Sequence, residues 1–254
     1  MKLSDIFTNV KGTWAEVFAE ALRKARPAQS AWAARPIAER RASFTELRRV
    51  LSRRSREVAD VIAAENGKTS LEALTQEIIP ILDCLVFVEK KAARVLAPRR
   101  VRLKTRQFYF RGKTCEVRRE PWGVVGVLGT WNYAFFISLS QILFAVAAGN
   151  AVIFKGAPES PKVTRLIEEL LEEAGFAKDL VFCASGPAEA GEALTAAGCD
   201  KLILTGSRST GRKVLGASAQ ELKPAVAELS GADAFVILSD ADWKKPGPRP
   251  KALP

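Results

Sequence analysis

Between Glu120 and Lys155 the chain carries not one charged side chain. It reads Pro121-Trp122-Gly123-Val124-Val125-Gly126-Val127-Leu128-Gly129-Thr130-Trp131-Asn132-Tyr133, then an apolar run from Ala134 to Ala148, then Gly149-Asn150-Ala151-Val152-Ile153-Phe154. A stretch this long without charge either crosses a membrane or is buried in a core. The bilayer reading fails: the run from Tyr133 to Ala148 is short for a hydrocarbon layer, holds Ser138, Ser140 and Gln141, and is bracketed by Gly129 and Gly149. Burial in a core fits. Gly123 to Leu128 is short and Val-rich, like a parallel strand covered on both faces; Phe135 to Ala147 has helix length; Ala151 to Phe154 is a second short strand. The three form one strand, helix, strand unit with its turn at Gly129 to Tyr133.

The alternation continues. Pro161 to Ala174 is a helix stopped by Gly175, Leu180 to Cys183 a strand, Pro187 to Ala197 a short helix stopped by Gly198, and Lys201 to Thr205 a strand. Ser209 to Ala219 is a helix, and Ala225 to Leu229 and Phe235 to Leu238 are further strands. Such alternation implies an α/β fold, a Rossmann-like open parallel sheet with helices on both faces. Ligands of these sheets sit at the carboxyl ends of the strands, here the loops after Leu128, Phe154 and Thr205 and the end of the Val226 strand.

Ahead of this unit, residues 1–26 predict a helix with Ile6, Val10, Trp14, Val17, Phe18 and Leu22 on one stripe, ended by Pro27. A second helix follows Pro36 and continues through Val58 and Ile62 to the Asn66-Gly67 stop; a third runs from near Ser70 towards Leu96, with a kink expected at Pro80. Val101, Leu103 and Thr105 alternate into a turn at Arg111-Gly112-Lys113 and a return strand to Val117, a β-hairpin arm. The expected organisation is therefore a helical lead-in over 1–100, the hairpin over 101–119, a dinucleotide-binding domain over 120–242, and a Pro-rich basic tail over 243–254 in which no helix or inner strand can form.

At 48% hydrophobic and 26% charged residues, the chain has the composition of a globular protein. Lys2, Asp5, Lys11, Glu16 and Glu20 interrupt the first twenty residues, so no signal peptide is read there and the cytoplasm is the expected compartment. Cys84, Cys115, Cys183 and Cys199 show no C-x-x-C spacing, and with no histidine present neither a zinc site nor a Cys-His nucleophile pair can be assembled; no metal is expected. The formal charge of +11 raises nucleic acid as a partner. Yet between Arg35 and Arg56 the arginines alternate with Ala, Leu and Val at helical spacing and with Glu39 and Glu46, as on a solvated helix face, and aromatic residues interleave the second basic stretch only at Phe108-Tyr109-Phe110. No specific nucleic acid and no membrane is expected as a partner.

Several residues carry candidate chemistry. Thr205-Gly206-Ser207-Arg208-Ser209-Thr210-Gly211 follows a strand and opens a helix, where free amides suit a phosphate, although the segment is also compatible with a plain tight turn. Lys155, leaving a buried strand, can reach a ribose or phosphate or can simply end the strand in solvent. Asn132 can donate to a developing oxyanion or cap the following helix. Glu228, a carboxylate in an apolar strand, is a candidate general base, because an isolated buried acid is costly unless it is paired or used.

Taken together, Glu120-Pro121-Trp122-Gly123-Val124-Val125, Trp131-Asn132-Tyr133, Ala148-Gly149-Asn150-Ala151-Val152, Lys155, Thr205-Gly206-Ser207 with Gly211, and Glu228-Leu229-Ser230-Gly231 resemble, in order and spacing, the aldehyde dehydrogenase superfamily, in particular its shorter, class 3-like branch. Weaker similarity reaches back through Asn66-Gly67-Lys68. The resemblance implies oxidation of an aldehyde with NAD or NADP: Asn132 as the oxyanion-hole amide, Lys155 on the adenosine ribose, Gly206 to Gly211 at the pyrophosphate, and Glu228 activating the water that hydrolyses a thioester. Three departures stand out. Ala134 replaces the family's proline; Pro158 replaces its ribose-binding acid, with Glu159 one position late; and the family's nucleophilic cysteine would fall beyond Pro254. The expectation is thus the cofactor half of such an enzyme without its catalytic domain, inactive alone, acting on aldehyde only when completed by a carboxyl-terminal half. A non-catalytic dinucleotide-binding module is the alternative. Two surfaces are expected to be left uncovered, the hairpin at Val101 to Val117 and the apolar face at Trp131 to Phe136, with homo-oligomerisation as a possible result.

Any retention on DNA or RNA is expected to be weak, sequence-independent and lost by about a few hundred millimolar salt; salt-resistant, sequence-selective retention would revive a nucleic-acid role.

Overall fold

In a computed structural model, the structure describes residues 12–101, 108–110, 112–232, 234, 236 and 238–241. At its centre β3 (Val124–Leu128) and β4 (Ala151–Gly156) pair in parallel, and every residue of both strands is buried. They belong to a five-stranded, all-parallel sheet that also contains β5 (Val181–Ser185), β6 (Lys201–Gly206) and β7 (Ala225–Leu229), in the order β5-β4-β3-β6-β7. A strand buried on both faces must be covered twice, which is why neither β3 nor β4 shows the period-two alternation of a half-exposed strand.

Helices supply the two covers. α1 (Trp14–Ala34) lies against β3, β4 and β5 together with α8 (Ala188–Ala196), and α9 (Arg208–Gln220) continues that layer over β6 and β7. On the other face α6 (Phe136–Ala147) packs on β3 and β4, and α7 (Pro161–Glu173) on β5. Outside these lie α2 (Ile37–Arg53), α3 (Ser55–Asn66), α4 (Ser70–Ala73) and α5 (Ile79–Leu96). Trp32, Phe44 and Phe176 meet in an aromatic cluster that ties α1 and α2 to the end of α7.

The first helix differs from expectation. Of the predicted span, residues 1–11 lie outside the described residues, and Pro27 does not end α1 but sits inside it. Proline in a helix interior forfeits one backbone bond and crowds the preceding turn, at a cost of about 3 kcal/mol. The turns beyond it are held from outside. Arg26 reaches Asp200 at 2.8 Å and the Gly198 carbonyl at 2.7 Å, Gln29 donates to the Gly149 carbonyl at 2.9 Å, and the buried Trp32 indole donates to the Val146 carbonyl at 2.8 Å. Asp200 also accepts the Val124 amide at 2.7 Å, so α1, β3 and the start of β6 share one carboxylate. Gly123 makes that approach possible: at φ 121° it sits where a side chain is strained, and a Cβ there would collide with the Asp200 carboxylate.

The second predicted helix is two, divided at Arg54, which leaves the helical region at ψ 11°, and Gly67 closes α3 in the left-handed region at φ 68°. The third is interrupted ahead of Pro80 by a π-helical turn at Leu74–Ile78, and α5 starts afresh with Pro80 in its first turn. Of the hairpin, β1 (Arg99–Val101) pairs antiparallel with β2 (Cys115–Val117), and Gly112 turns at φ 73°. Phe108–Phe110 forms a 3-10 turn, while Leu103 and Thr105 lie outside the described residues. In the strand expected over Phe235 to Leu238, Val236 and Leu238 carry no strand pairing, and Phe235 and Ile237 are outside the described residues, as is the tail from Trp243 on. The apolar face expected to be bare at Trp131 to Phe136 is largely covered by the chain itself: Ala134 and Phe135 are buried, and Trp131, Tyr133 and Phe136 are half-buried.

Because Pro27 is exposed and its helix is held by tertiary contacts, Pro27→Ala is expected to stabilise the chain by about 1–3 kcal/mol. Urea unfolding checks this as a higher midpoint at unchanged slope.

Candidate functional site

The strand order reverses between β3 and β6, and in open parallel sheets it is at the carboxyl ends of the strands beside such a switch point, here called the crevice, that ligands bind. Register places Leu128 beside both Lys155 and Leu204, so the three loops that follow leave the sheet at one level. These are the loops singled out in the sequence: Gly129 to Phe135 after β3, Gly156 to Ser160 after β4, and the Ser207 turn after β6. Gly129 donates to the Lys155 carbonyl at 2.9 Å, carrying the β3–β4 ladder one residue further before the chains part.

Lys155 is not a strand-end lysine in solvent. It is 7% exposed, and among the described residues its ammonium has no hydrogen-bond or ion-pair partner. Burial lowers its pKa from the ordinary lysine value, with Glu159 and Glu189 opposing the shift. An ammonium removed from water without a partner is expensive, and an anionic or hydroxyl-rich ligand would relieve that cost. Next to it, Gly156 leaves no room for a Cβ against the Thr164 hydroxyl, which lets α7 start tight against the strand end. Glu65 accepts the Lys162 and Val163 amides, both at 2.8 Å, and so caps α7 where Ser160 makes no side-chain cap.

At the β3 end, the Asn132 Oδ1 accepts the Thr130 hydroxyl at 2.8 Å and the Tyr133 amide at 2.9 Å. With its oxygen engaged on its own loop, the exposed side chain keeps its NH2 group to donate elsewhere, as an oxyanion donor must. At the β6 end, Ser207 is the N-cap of α9: its Oγ accepts the Thr210 amide at 3.2 Å and lies 2.8 Å from the Ser209 and 3.0 Å from the Thr210 hydroxyls. The amides of Arg208 and Ser209, in the first turn, have no intrahelical acceptor and meet an exposed hydroxyl cluster, as a phosphate site requires. Gly206 leads into this turn, and Gly211, buried, leaves its helix face open for Leu229 of β7.

Glu228 corrects the argument made for it. It lies on β7, an edge strand among the described residues, opposite Thr205, and it is exposed rather than enclosed among apolar neighbours. Its register opposite Thr205 places it near the carboxyl end of the sheet, one strand beyond the Ser207 turn.

Two features escape a reading of the sequence. Gln141 of α6 donates to the Thr205 hydroxyl at 2.8 Å, linking the helix after the Asn132 loop to the end of β6, and its own Oε1 is buried without a partner among the described residues. Glu77, in the π turn, is fully buried and accepts the Phe135 and Phe136 amides at 2.9 and 3.2 Å. A carboxylate four residues after Ala73 and four before Ile81, both on the buried stripe, was the available signal.

With this geometry in place, residues 3–246 match the sequence model of the Aldehyde dehydrogenase family. This chain belongs to the aldehyde dehydrogenase family. It is 36% identical over 224 residues to 4,4'-diapolycopene aldehyde oxidase of Methylomonas sp, covering 88% of this chain and 42% of that protein. Over 239 residues it is 29% identical to betaine aldehyde dehydrogenase of Vibrio vulnificus (strain CMCP6), covering 94% of this chain and 48% of the relative. The NAD+ complex structure of aldehyde dehydrogenase from Bacillus cereus superposes with a TM-score of 0.79 at 28% identity, over 90% of this chain and 46% of that one. The chain spans about half the length of the curated relatives it matches. The aldehyde dehydrogenase fold accounts for the parallel sheet and for the helical segment that precedes it.

Burial disfavours the thiolate at three of the four cysteines. Burial pushes the Cys199 thiol up to about 11 and the Cys183 thiol well above its usual value, and it raises Cys84 as well. Cys115 lies on the hairpin, away from the sheet. In native protein at neutral pH, Cys183 and Cys199 are therefore expected to resist a thiol reagent and to react only after denaturation, as mass-mapped labelling can check.

Proposed function

We propose that this chain captures NAD(P) at the β3–β6 crevice and supplies the oxyanion donor and the base of an aldehyde oxidation, within the dinucleotide-binding domain over residues 120–242. The observation that carries this reading is the buried, unpartnered Lys155 ammonium at the mouth of the crevice, level with the Asn132 loop and the Ser207 turn. These residues fit a dinucleotide. Lys155 would hold the adenosine ribose, and the Gly206, Ser207, Arg208, Ser209, Thr210 and Gly211 turn the pyrophosphate, with Arg208 adding charge. When bound, the nicotinamide supplies the hydride acceptor. On the protein side, the Asn132 Nδ2 donates to the oxygen that becomes negative when a thiolate attacks the aldehyde carbon. Glu228 takes the proton of the water that cleaves the resulting thioester, and its exposure on β7 gives it access to that water.

The thiol of that reaction is not among this chain's own cysteines, so residues 1–254 alone are expected to bind nucleotide without oxidising aldehyde. The Bacillus cereus relative, solved as an NAD+ complex, supports a nicotinamide dinucleotide as the ligand class. For the choice within that class, Glu159 and Glu189 both act on Lys155, and two carboxylates there oppose a 2′-phosphate. NAD is favoured over NADP. Nucleic acid is disfavoured by how the Arg35 to Arg56 stretch is spent: Arg48 pairs with Glu89, Arg49 with Glu46, Arg53 with Glu173, and Arg54 with Glu57 and Glu173.

Calorimetric titration tests the reading. Heat of binding is expected for NAD, less for NADP, and Lys155→Met is expected to weaken NAD on the order of tenfold or more, the scale of a lost charged hydrogen bond. A folded sample that takes up neither nucleotide sinks the proposal. The pH dependence follows in sign from the lowered Lys155 pKa: the ammonium loses its proton at lower pH than an ordinary lysine, so affinity is expected to fall as pH rises into the alkaline range. In Lys155→Met that decline is expected to vanish.

A further inference from the structure

The helical lead-in reaches the carboxyl ends of the strands through Glu65 at the start of α7 and through the π turn at Leu74–Ile78, which bears on the Asn132 loop. Buried apolar positions step by five from Ala73 to Ile78, with the buried Glu77 between them, and then resume helical spacing at Ile81, Leu85, Val88 and Ala92; the π-helical bonding of this turn inserts one extra residue. Such insertions re-aim side chains and recur at functional sites. Here the re-aimed residues are Gln76 and Glu77. Glu77 is fully buried, and its carboxylate pairs with the Lys68 ammonium, whose side chain is 14% exposed. Its Oε1 also accepts the Asn66 side-chain amide at 3.3 Å, while its Oε2 accepts the Phe135 and Phe136 amides. The left-handed Gly67 turns the chain so that Lys68 can enter; the Lys68 amide is fixed by Asn66 Oδ1 at 3.2 Å.

A carboxylate that only capped α6 would need nothing more than those two amides. This cluster does more, and it converges on the neighbour of Asn132. The Lys68 Nζ lies 3.9 Å from the centroid of the Tyr133 ring, and the Tyr133 hydroxyl donates to the Gln76 Oε1 at 3.3 Å. Tyr133 in turn donates its amide to Asn132 Oδ1, one of the two bonds that fix the Asn132 oxygen on its own loop. The loop is thus gripped by its ring, by its hydroxyl and by the amides on its far side, all from residues 66–77.

We propose that the Lys68–Glu77 pair is a positioning device for Asn132: it holds the Tyr133 ring and the start of α6 so that the Asn132 side-chain amide keeps one position. This rests on the reading of Asn132 as the oxyanion donor. Its consequence for the reaction is large, because a misplacement of about 1 Å at a reacting centre costs on the order of a hundredfold in rate. The pair acts through Asn132 and touches no reactant.

The test uses the whole chain, free of nucleotide. The Asn132 side-chain NH2 pair is identified in the nitrogen–proton NMR spectrum by its loss in Asn132→Ala, and is then followed in Lys68→Met and Glu77→Gln together with amide exchange at Phe135 and Phe136. Displacement of the Asn132 pair is expected in both variants. In Glu77→Gln the two amides are expected to exchange roughly tenfold faster or more, as for a lost charge-assisted bond, whereas in Lys68→Met they stay protected. If the amides exchange faster while the Asn132 pair keeps its wild-type position in both variants, Glu77 is a helix cap and the proposal is overturned. Where a single variant fails to fold, the double variant Lys68→Met with Glu77→Gln leaves no uncompensated buried charge and decides the matter by the same signal. Nucleotide titration of the unaltered chain reports separately on dinucleotide capture, so failure there leaves the Asn132 signal readable on its own terms.

Discussion

Everything in this structure is arranged around two parallel strands that never meet water. β3 and β4 are buried at every position, and a pair of that kind exists only between two layers of helices. The βαβ unit supplies one layer through α6; the other has to come from elsewhere in the chain, and α1 provides it together with α8. That demand explains why α1 runs through Pro27. The helix is kept straight enough to cover the sheet by bonds to Asp200, Gly149 and Val146, contacts whose loss would uncover strands with no polar face to show.

The same burial shapes the chemistry. Lys155 is the first charge after the long uncharged stretch, and it appears where β4 leaves the core, still enclosed. A low-dielectric setting makes its ammonium both easier to deprotonate and more responsive to a partner. Register then puts the Asn132 loop and the Ser207 turn beside it. The two sides of the crevice are also braced across the sheet, since Gln141 of α6 holds Thr205 at the end of β6. Glu228 stands apart from this enclosure. On a strand that has no further neighbour among the described residues it is exposed, which is compatible with the role proposed for it as a base toward water.

The lead-in helices serve the site as well as the core. Through the π turn, a segment far back in the chain delivers a buried carboxylate to the first amides of α6, and with it an ammonium to the Tyr133 ring. A buried charge pair contributes little net stability, yet it enforces one geometry, because any other arrangement leaves a charge unpaired. The contacts of the pair thereby converge on the loop that carries Asn132, the donor proposed here.

How far the residues alone carry the picture depends on the range of each interaction. The strands, the alternation with helices, and the loops at Asn132, Lys155 and Ser207 were legible in the sequence, because hydrophobic period, helix stops and the absence of charge are local properties. The family resemblance drew on the same local words. What tertiary structure decided was whatever depends on distant partners. Pro27 reads as a helix end until Asp200 and Val146 are seen to hold the turns beyond it, and Glu228 reads as buried until β7 proves to be an edge. Lys155 reads as solvated until the layers close over it. Glu77 passes for one more charge on a helix, because the amides it serves lie 58 residues away.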